Sequence, residues 1–198
     1  MKNQNIVSDL EIDDNGMIPT LNQMGHMFVV PDPITQAFID DAIHAQGKVL
    51  EIGAAFGVAS LPVICKGKSI IVNDLDARHL DYILKHTPQS YRKKLHLLPG
   101  YFPRDIKLND NSLEVIFASR VLHFLPPEEF MGALKTISNA LISGGRFYFI
   151  STTPYIYVYR EFIPIFESNR AQGKPWPGLL ENLIDIAPHR AHQLPKFI

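Results

Sequence analysis

The chain has 198 residues, 46% hydrophobic and 20% charged, which fits one folded domain with a proper core and is marginal for two. Nineteen basic against twenty acidic residues leave a formal charge of −1, so no global basic field argues for nucleic acid or an anionic membrane as partner. The single cysteine, Cys65, excludes an intramolecular disulfide framework. With the polar start MKNQNIVSDLEIDDNG and no apolar run of roughly eighteen residues, the composition points to a soluble, cytoplasmic protein.

Residues 1–31 read as an irregular N-terminal segment with turn signals at Asn15-Gly16 and Pro19. PDPITQAFIDDAIHAQG has the marks of a helix: Asp32 to cap it, Pro33 for its first position, Gly47 to end it. Ile34, Ala37, Phe38 and Ala42 are expected on its buried face. KVLEIG follows as a strand and FGVASLPVICKG as a short helix, with Cys65 expected in the core. SIIVND is the next strand and DARHLDYILKHT the next helix, with Leu80, Ile83 and Leu84 inward; the RKK run at 92–94 reads as a solvated turn.

LHLLPG is a third strand and SLEVIFAS a fourth, whose nearly continuous apolar run suits a strand covered on both faces. PPEEFMGALKTISNALISGG is the clearest helix, with proline and two glutamates in its first turn, a stripe of Phe130, Leu134, Ile137 and Leu141, and Gly144 as its stop. RFYFIS is the fifth strand. Strands alternating with helices define an α/β protein with a doubly wound, mostly parallel sheet over residues 32–152. Residues 153–198 read as a helical and loop segment: YIYVYREFIPIFESNRAQG as a helix with Pro164 near its start, LLENLIDIA as a short helix, PHRAHQLPKFI as loop.

The stretch VLEIGAAFG ends a strand in Glu51 and breaks into a turn bearing Gly53 and Gly57. It is either a ligand-binding loop or a tight connection. In an open parallel sheet, ligands bind at the carboxyl ends of strands, where a glycine lets the backbone approach. Asp74 closes the second strand, where an acid can accept hydrogen bonds from ribose hydroxyls. The G-x-x-x-G spacing departs from the dinucleotide fingerprint, whose pyrophosphate wants several free N–H groups; it suits a nucleoside ligand without phosphates better than a nicotinamide dinucleotide.

VLEIGAAFG, VNDLD, FASRVLHFLPPEEF and LISGGRFYFIS, in this order, resemble the class I S-adenosylmethionine-dependent methyltransferases over about residues 32–152. Glu51, Gly53 and Gly57 match the acidic position and the first and third glycines of that family's first motif; Ala55 replaces the middle glycine, with Ala54 beside it. The resemblance implies S-adenosyl-L-methionine as cofactor and S-adenosyl-L-homocysteine as product. It makes Asp74 the ribose-binding acid, Leu75 the residue flanking adenine, and Ser119 and Arg120 the lining of the methionine side. Where the family usually offers an Asp to the adenine amino group, this sequence has Tyr101, leaving either Tyr101 against the base or Asp105 reaching back. The family's final antiparallel hairpin has no strand patterns to form it here, so the sheet is expected to lack it, as in a trimmed or truncated chain.

His123 is the one candidate for a general base, weighed against a structural or cofactor-lining histidine. Tyr155, Tyr157, Tyr159 and Trp176 form an aromatic group after the fifth strand. His123, Tyr155, Tyr157 and Trp176 are candidates for acceptor contact, against ordinary core packing. Asp185, His189 and His192 have ligand-like spacing, but Pro188 breaks the helix that would align them, and no metal is expected. The sequence thus supports a methyltransferase acting on a small molecule, with a catalytically silent binding module or a nicotinamide-dependent oxidoreductase as alternatives.

Overall fold

The computed structural model describes residues 9–180. Five parallel strands, β3 (Lys48–Ile52), β4 (Ile70–Asp74), β5 (Leu95–Pro99), β6 (Leu113–Ser119) and β7 (Leu141–Ile150), form one sheet in the order β5-β4-β3-β6-β7. Helices α1 (Pro33–His44), α2 (Ser60–Cys65) and α3 (Ala77–His86) cover one face, where Phe38, Leu61 and Ile83 meet Val49, Val72 and Phe117. Helix α4 (Pro127–Ala140) covers the other, its Ala133 and Ile137 against Leu50, Ile52 and Ile116. Alternate residues of β3 and β6 therefore feed two different cores, which is why both strands are apolar nearly throughout. Each fully buried side chain of this kind contributes about 1.5–3 kcal/mol.

Three local expectations are corrected. In α1 the buried positions are Thr35, Phe38, Ile39 and Ala42, whereas Ile34 is exposed. The helix lies on β6 and β7, and the face presented there has the i, i+3, i+4, i+7 spacing. Helix α4 ends at Ala140 rather than Gly144, and Leu141 opens β7 by pairing with Leu113. The register then shifts, so Ile142–Gly145 form an irregularity before Arg146 pairs with Val115. A Cβ at Gly145 would come within 3.0 Å of the Glu114 and Ile142 carbonyl oxygens, so this glycine serves a close backbone approach in the strand. Cys65, the last residue of α2, is exposed instead of buried in the core.

Residues 9–31 are more ordered than their sequence suggests. Strands β1 (Met17–Pro19) and β2 (His26–Phe28) form an antiparallel hairpin. Ile18 packs on Phe56, with Leu10, Met27, Val29 and Tyr82 around them, which seats the hairpin beside the turn after β3. At the other end, α5 (Ile163–Ala171) carries Pro164 in its first turn, but residues 155–162 form turns and a short 3-10 helix at Tyr157–Tyr159 instead of the first half of the expected helix. Among the described residues no antiparallel strand joins the main sheet. Most of LLENLIDIA and all of PHRAHQLPKFI, with Asp185, His189 and His192, lie outside the described residues.

Candidate functional site

Strands β3 and β6 are neighbours, yet the chain leaves them in opposite directions across the sheet. Connections that diverge in this way open a crevice at the carboxyl ends of the two strands, the preferred ligand site of such folds. The turn entering it is held left-handed at Gly53 (φ 68°), Ala55 (φ 45°) and Gly57 (φ 78°). The N–H groups of Gly53 and Ala54 donate to the Asn73 carbonyl at 2.9 and 3.0 Å. The Asn73 amide in turn donates to the carbonyls of Leu98 and Gly100 at 2.8 and 2.9 Å. A Cβ at Gly53 would stand 2.7 Å from Val121 Cγ2, so the turn after β3 and the loop after β6 close together with room for no side chain.

Two acids stand behind this turn. Glu51 is buried, and its Oε2 has no hydrogen-bond partner. Loss of hydration pushes its pKa up to about 8; the Ser60 hydroxyl opposes that shift and the Asp74 charge adds to it. Ser60 Oγ is itself without a partner, so the geometry places the two side chains side by side without a well-formed bond. A buried carboxyl with a free oxygen costs stability unless something pairs with it.

Asp74 is equally buried but well partnered. Its Oδ2 accepts from Ala55 N–H at 2.8 Å, and its Oδ1 from Asp76 N–H at 2.8 Å and from His79 Nδ1 at 3.0 Å. His79 Nε2 accepts from Leu21 N–H at 3.0 Å, which assigns the ring proton to Nδ1. These bonds occupy three of a carboxylate's roughly four acceptor positions and leave one on Oδ2.

The remaining sequence candidates are placed as follows. Leu75, after β4, is exposed. The Tyr101 ring is covered by the Arg104 guanidinium at 4.1 Å, and its hydroxyl donates to Glu129 at 2.9 Å; Asp105 accepts from Tyr101 N–H at 2.9 Å. After β6, Arg120 adopts φ 53°, donates to Ser119 Oγ at 3.2 Å, pairs with Asp32 at 3.4 Å and lies 4.8 Å over the Phe28 ring. His123 is mostly buried with Nδ1 unpartnered, and desolvation aided by the Arg120 charge lowers its pKa to about 4. Tyr155, Tyr157 and Trp176 are exposed; Trp176 meets Phe130 edge-on and Tyr155 meets Phe166 likewise.

Sequence reasoning missed Asn73, His79 and the hairpin. A histidine beside Leu80 and Ile83 on the apolar stripe of α3, five residues past Asp74, is the signal that had been present. A polar cavity lined by Asp41, His44, Glu114 and Arg146 sits at the opposite end of the strands and shares nothing with the crevice. No three His, Cys, Asp or Glu side chains converge as a metal site among the described residues. No helix among them is long and apolar enough to cross a membrane.

A parallel sheet of this order, with helices on both faces and a switch point between β3 and β6, defines a Rossmann-like architecture. The methyltransferase domain family matches residues 50–149, half of the chain, and the protein belongs to that family, the class I S-adenosylmethionine-dependent methyltransferases. Comparison with the curated proteins finds no match. Among solved structures, an S-adenosylmethionine-dependent methyltransferase from Mesorhizobium loti aligns with TM-score 0.52 at 19% identity, over 62% of this chain and 53% of that one. A protein from Pyrococcus horikoshii aligns with TM-score 0.52 at 16% identity, over 68% and 60%. A glycopeptide N-methyltransferase solved with S-adenosylmethionine gives TM-score 0.47 at 20% identity, over 57% and 48%. This chain thus spans about half to three-fifths of the length of the structures it resembles, and the first two likenesses bear on the fold.

Proposed function

We propose that the protein binds S-adenosylmethionine in the crevice between β3 and β6 and transfers its methyl group to a small-molecule acceptor in the cytoplasm. The observation that carries this reading is Glu51: a buried carboxyl with a free Oε2, directly behind a left-handed turn at the switch point, is a site that wants a cation. The residues fit the cofactor. Glu51 faces its ammonium end, Gly53, Ala54, Ala55 and Gly57 give it a close backbone, and Asp74 keeps one acceptor position for a ribose hydroxyl. Leu75 supplies an apolar edge for adenine, Tyr101 closes that side, and Ser119 and Arg120 line the methionine side.

When bound, the cofactor supplies a methyl group activated by its sulfonium. The chain's task is then to align the acceptor nucleophile, and proximity and orientation provide on the order of 7 kcal/mol or more of barrier lowering. His123, neutral at physiological pH because its pKa lies near 4, orients a partner by hydrogen bonding and is a poor proton sink. In this reading residues 32–152 hold the cofactor, and the described part of the following segment, 153–180, with Tyr155, Tyr157 and Trp176, faces the acceptor. The balanced charge of the chain favours a small acceptor over nucleic acid.

Titration calorimetry with S-adenosylmethionine and S-adenosylhomocysteine tests the reading. Saturable one-to-one binding is expected, and the lack of any binding to either would sink it. Acceptors then follow from a methyl-transfer screen over small amines, hydroxyls and thiols.

A further inference from the structure

The hairpin crosses from one lip of the crevice to the other. On the α3 side, Leu21 is held at both backbone groups: its N–H donates to His79 Nε2 at 3.0 Å, and its carbonyl accepts from Arg78 at 2.8 Å. Tyr82 also donates to Asp9 at 2.6 Å. On the β6 side, Phe28 lies under the Arg120 guanidinium, and a Cβ at Gly25 would touch Phe124. Between them, Ile18 caps Phe56 of the glycine turn.

Among the described residues, one side chain, His79, bonds both to this strap and to the candidate ribose acid. The His79 ring is 1% exposed, and its two nitrogens point at different partners: Nδ1 at Asp74 Oδ1 and Nε2 at Leu21 N–H. Asp74 in turn holds the glycine turn through Ala55 N–H. Hairpin, histidine, carboxylate and turn form one unbroken chain of hydrogen bonds. A buried histidine with both nitrogens engaged has one ring orientation, and it transmits that orientation to the carboxylate it touches.

We infer that His79 is a positioning residue that couples the N-terminal hairpin to Asp74, so that seating the hairpin across the crevice and aiming the cofactor-facing carboxylate are a single event. The inference rests on the reading of Asp74 as a cofactor contact. By reciprocity, a ligand that fixes Asp74 tightens the hairpin, and a loosened hairpin weakens the ligand by the same factor.

Leu21→Pro tests this without entering the core. Leu21 is the second residue of a β-turn closed by Gln23 N–H to the Thr20 carbonyl at 2.9 Å, a position that suits proline. The substitution removes the N–H that His79 accepts and sets the proline Cδ against Nε2, 3.0 Å from the backbone nitrogen, so it unseats the hairpin from the histidine as well as breaking the bond. His79→Asn is its complement, because its amide can still donate near the Nδ1 position but cannot reach Leu21.

In the unmodified protein, S-adenosylhomocysteine is expected to slow amide exchange across residues 17–28. Leu21→Pro and His79→Asn are each expected to raise its calorimetric Kd by about three- to tenfold and to abolish that ligand-induced protection, while the sheet stays protected. Affinity within twofold of the unmodified protein despite an exchanging hairpin overturns the inference. So does ligand-induced protection that survives in His79→Asn, since the hairpin would then be touching the ligand directly. If His79→Asn fails to fold, Leu21→Pro alone decides. If the unmodified protein binds neither cofactor form, the methyltransferase reading falls and the coupling falls with it, an outcome distinct from binding that ignores the hairpin.

Discussion

The two ends of the same sheet are built on opposite terms. At the carboxyl ends of the strands, Glu51, Asn73, Asp74 and His79 are all buried polar groups, and Ala55 and Arg120 hold left-handed backbone without being glycine. At the amino ends the polar groups are more open to solvent: Arg146 pairs with Asp41, and Glu114 accepts from Gly47 N–H. Buried polar groups and left-handed alanine or arginine each carry a free-energy cost, whereas Asn111, left-handed just before β6 at the amino end (φ 50°), is a residue type that tolerates that region; the proposed site therefore stands where the costly groups gather. The amino end keeps polar groups where water can satisfy them and needs no ligand to explain it.

The sharpest way to break that contrast is Gly53→Val. The new side chain must occupy φ 68° and stand against Val121, so a loss of roughly 3 kcal/mol or more is expected from backbone and overpacking together. Chemical denaturation measures it, and Val121→Ala in the same chain should recover part. A variant as stable as the parent would mean that the crevice is not closed as described.

Glu51→Gln comes next. The Glu51 carboxyl rises from 4.5 to about 8 on folding, so the folded, cofactor-free protein holds a proton that the unfolded chain gives up. Stability from this group is full below pH 4.5 and is lost as pH rises through about 8. Thermal melts of the unliganded protein should fall over that window, and Glu51→Gln should flatten the fall. Because a cation at Oε2 favours the ionised form, affinity for S-adenosylmethionine should strengthen with pH across the same window. The variant should lose that dependence along with about ten- to a hundredfold in affinity. A melt profile identical to the parent's would remove Glu51 from the site.

Ala55→Gly is expected to act the other way, stabilising by about 1 kcal/mol because glycine adopts φ 45° without the Cβ penalty. Its cofactor Kd should stay within twofold. Smallest of all, Arg146→Ala at the amino end removes an exposed ion pair and should move Tm by about 2 °C or less, with cofactor affinity unchanged. A large loss of affinity from this substitution would dissolve the distinction between the two ends.

How much of this was legible in the sequence follows the same division. The five strands and α1 to α4 announced themselves through apolar runs and caps such as Asp32, whose Oδ1 accepts from Ile34 and Thr35 N–H at 3.0 and 2.9 Å. The glycine turn and Asp74 were readable because their residue types are demanded by position. The β1–β2 hairpin was not: strands of three residues are too short for an alternating pattern to register. The junction at Leu141 was hidden because its apolar side chain suits a helix stripe and a strand equally. His79 read as one more member of an amphipathic helix, and only the fold brings Leu21 to it across 58 positions of chain.

Asn73 has a consequence of its own. One buried residue takes two N–H groups from the turn after β3 on its carbonyl, and its amide grips the end of β5 and Gly100 beyond it. It works as a rivet through three layers of backbone, so these strand ends form a single stiff rim. In the proposed reading, the cofactor meets a rim that is already set, and little conformational entropy remains to be surrendered on that side. Slow steps in binding should therefore belong to the hairpin, and association with the rim should run as a single fast phase.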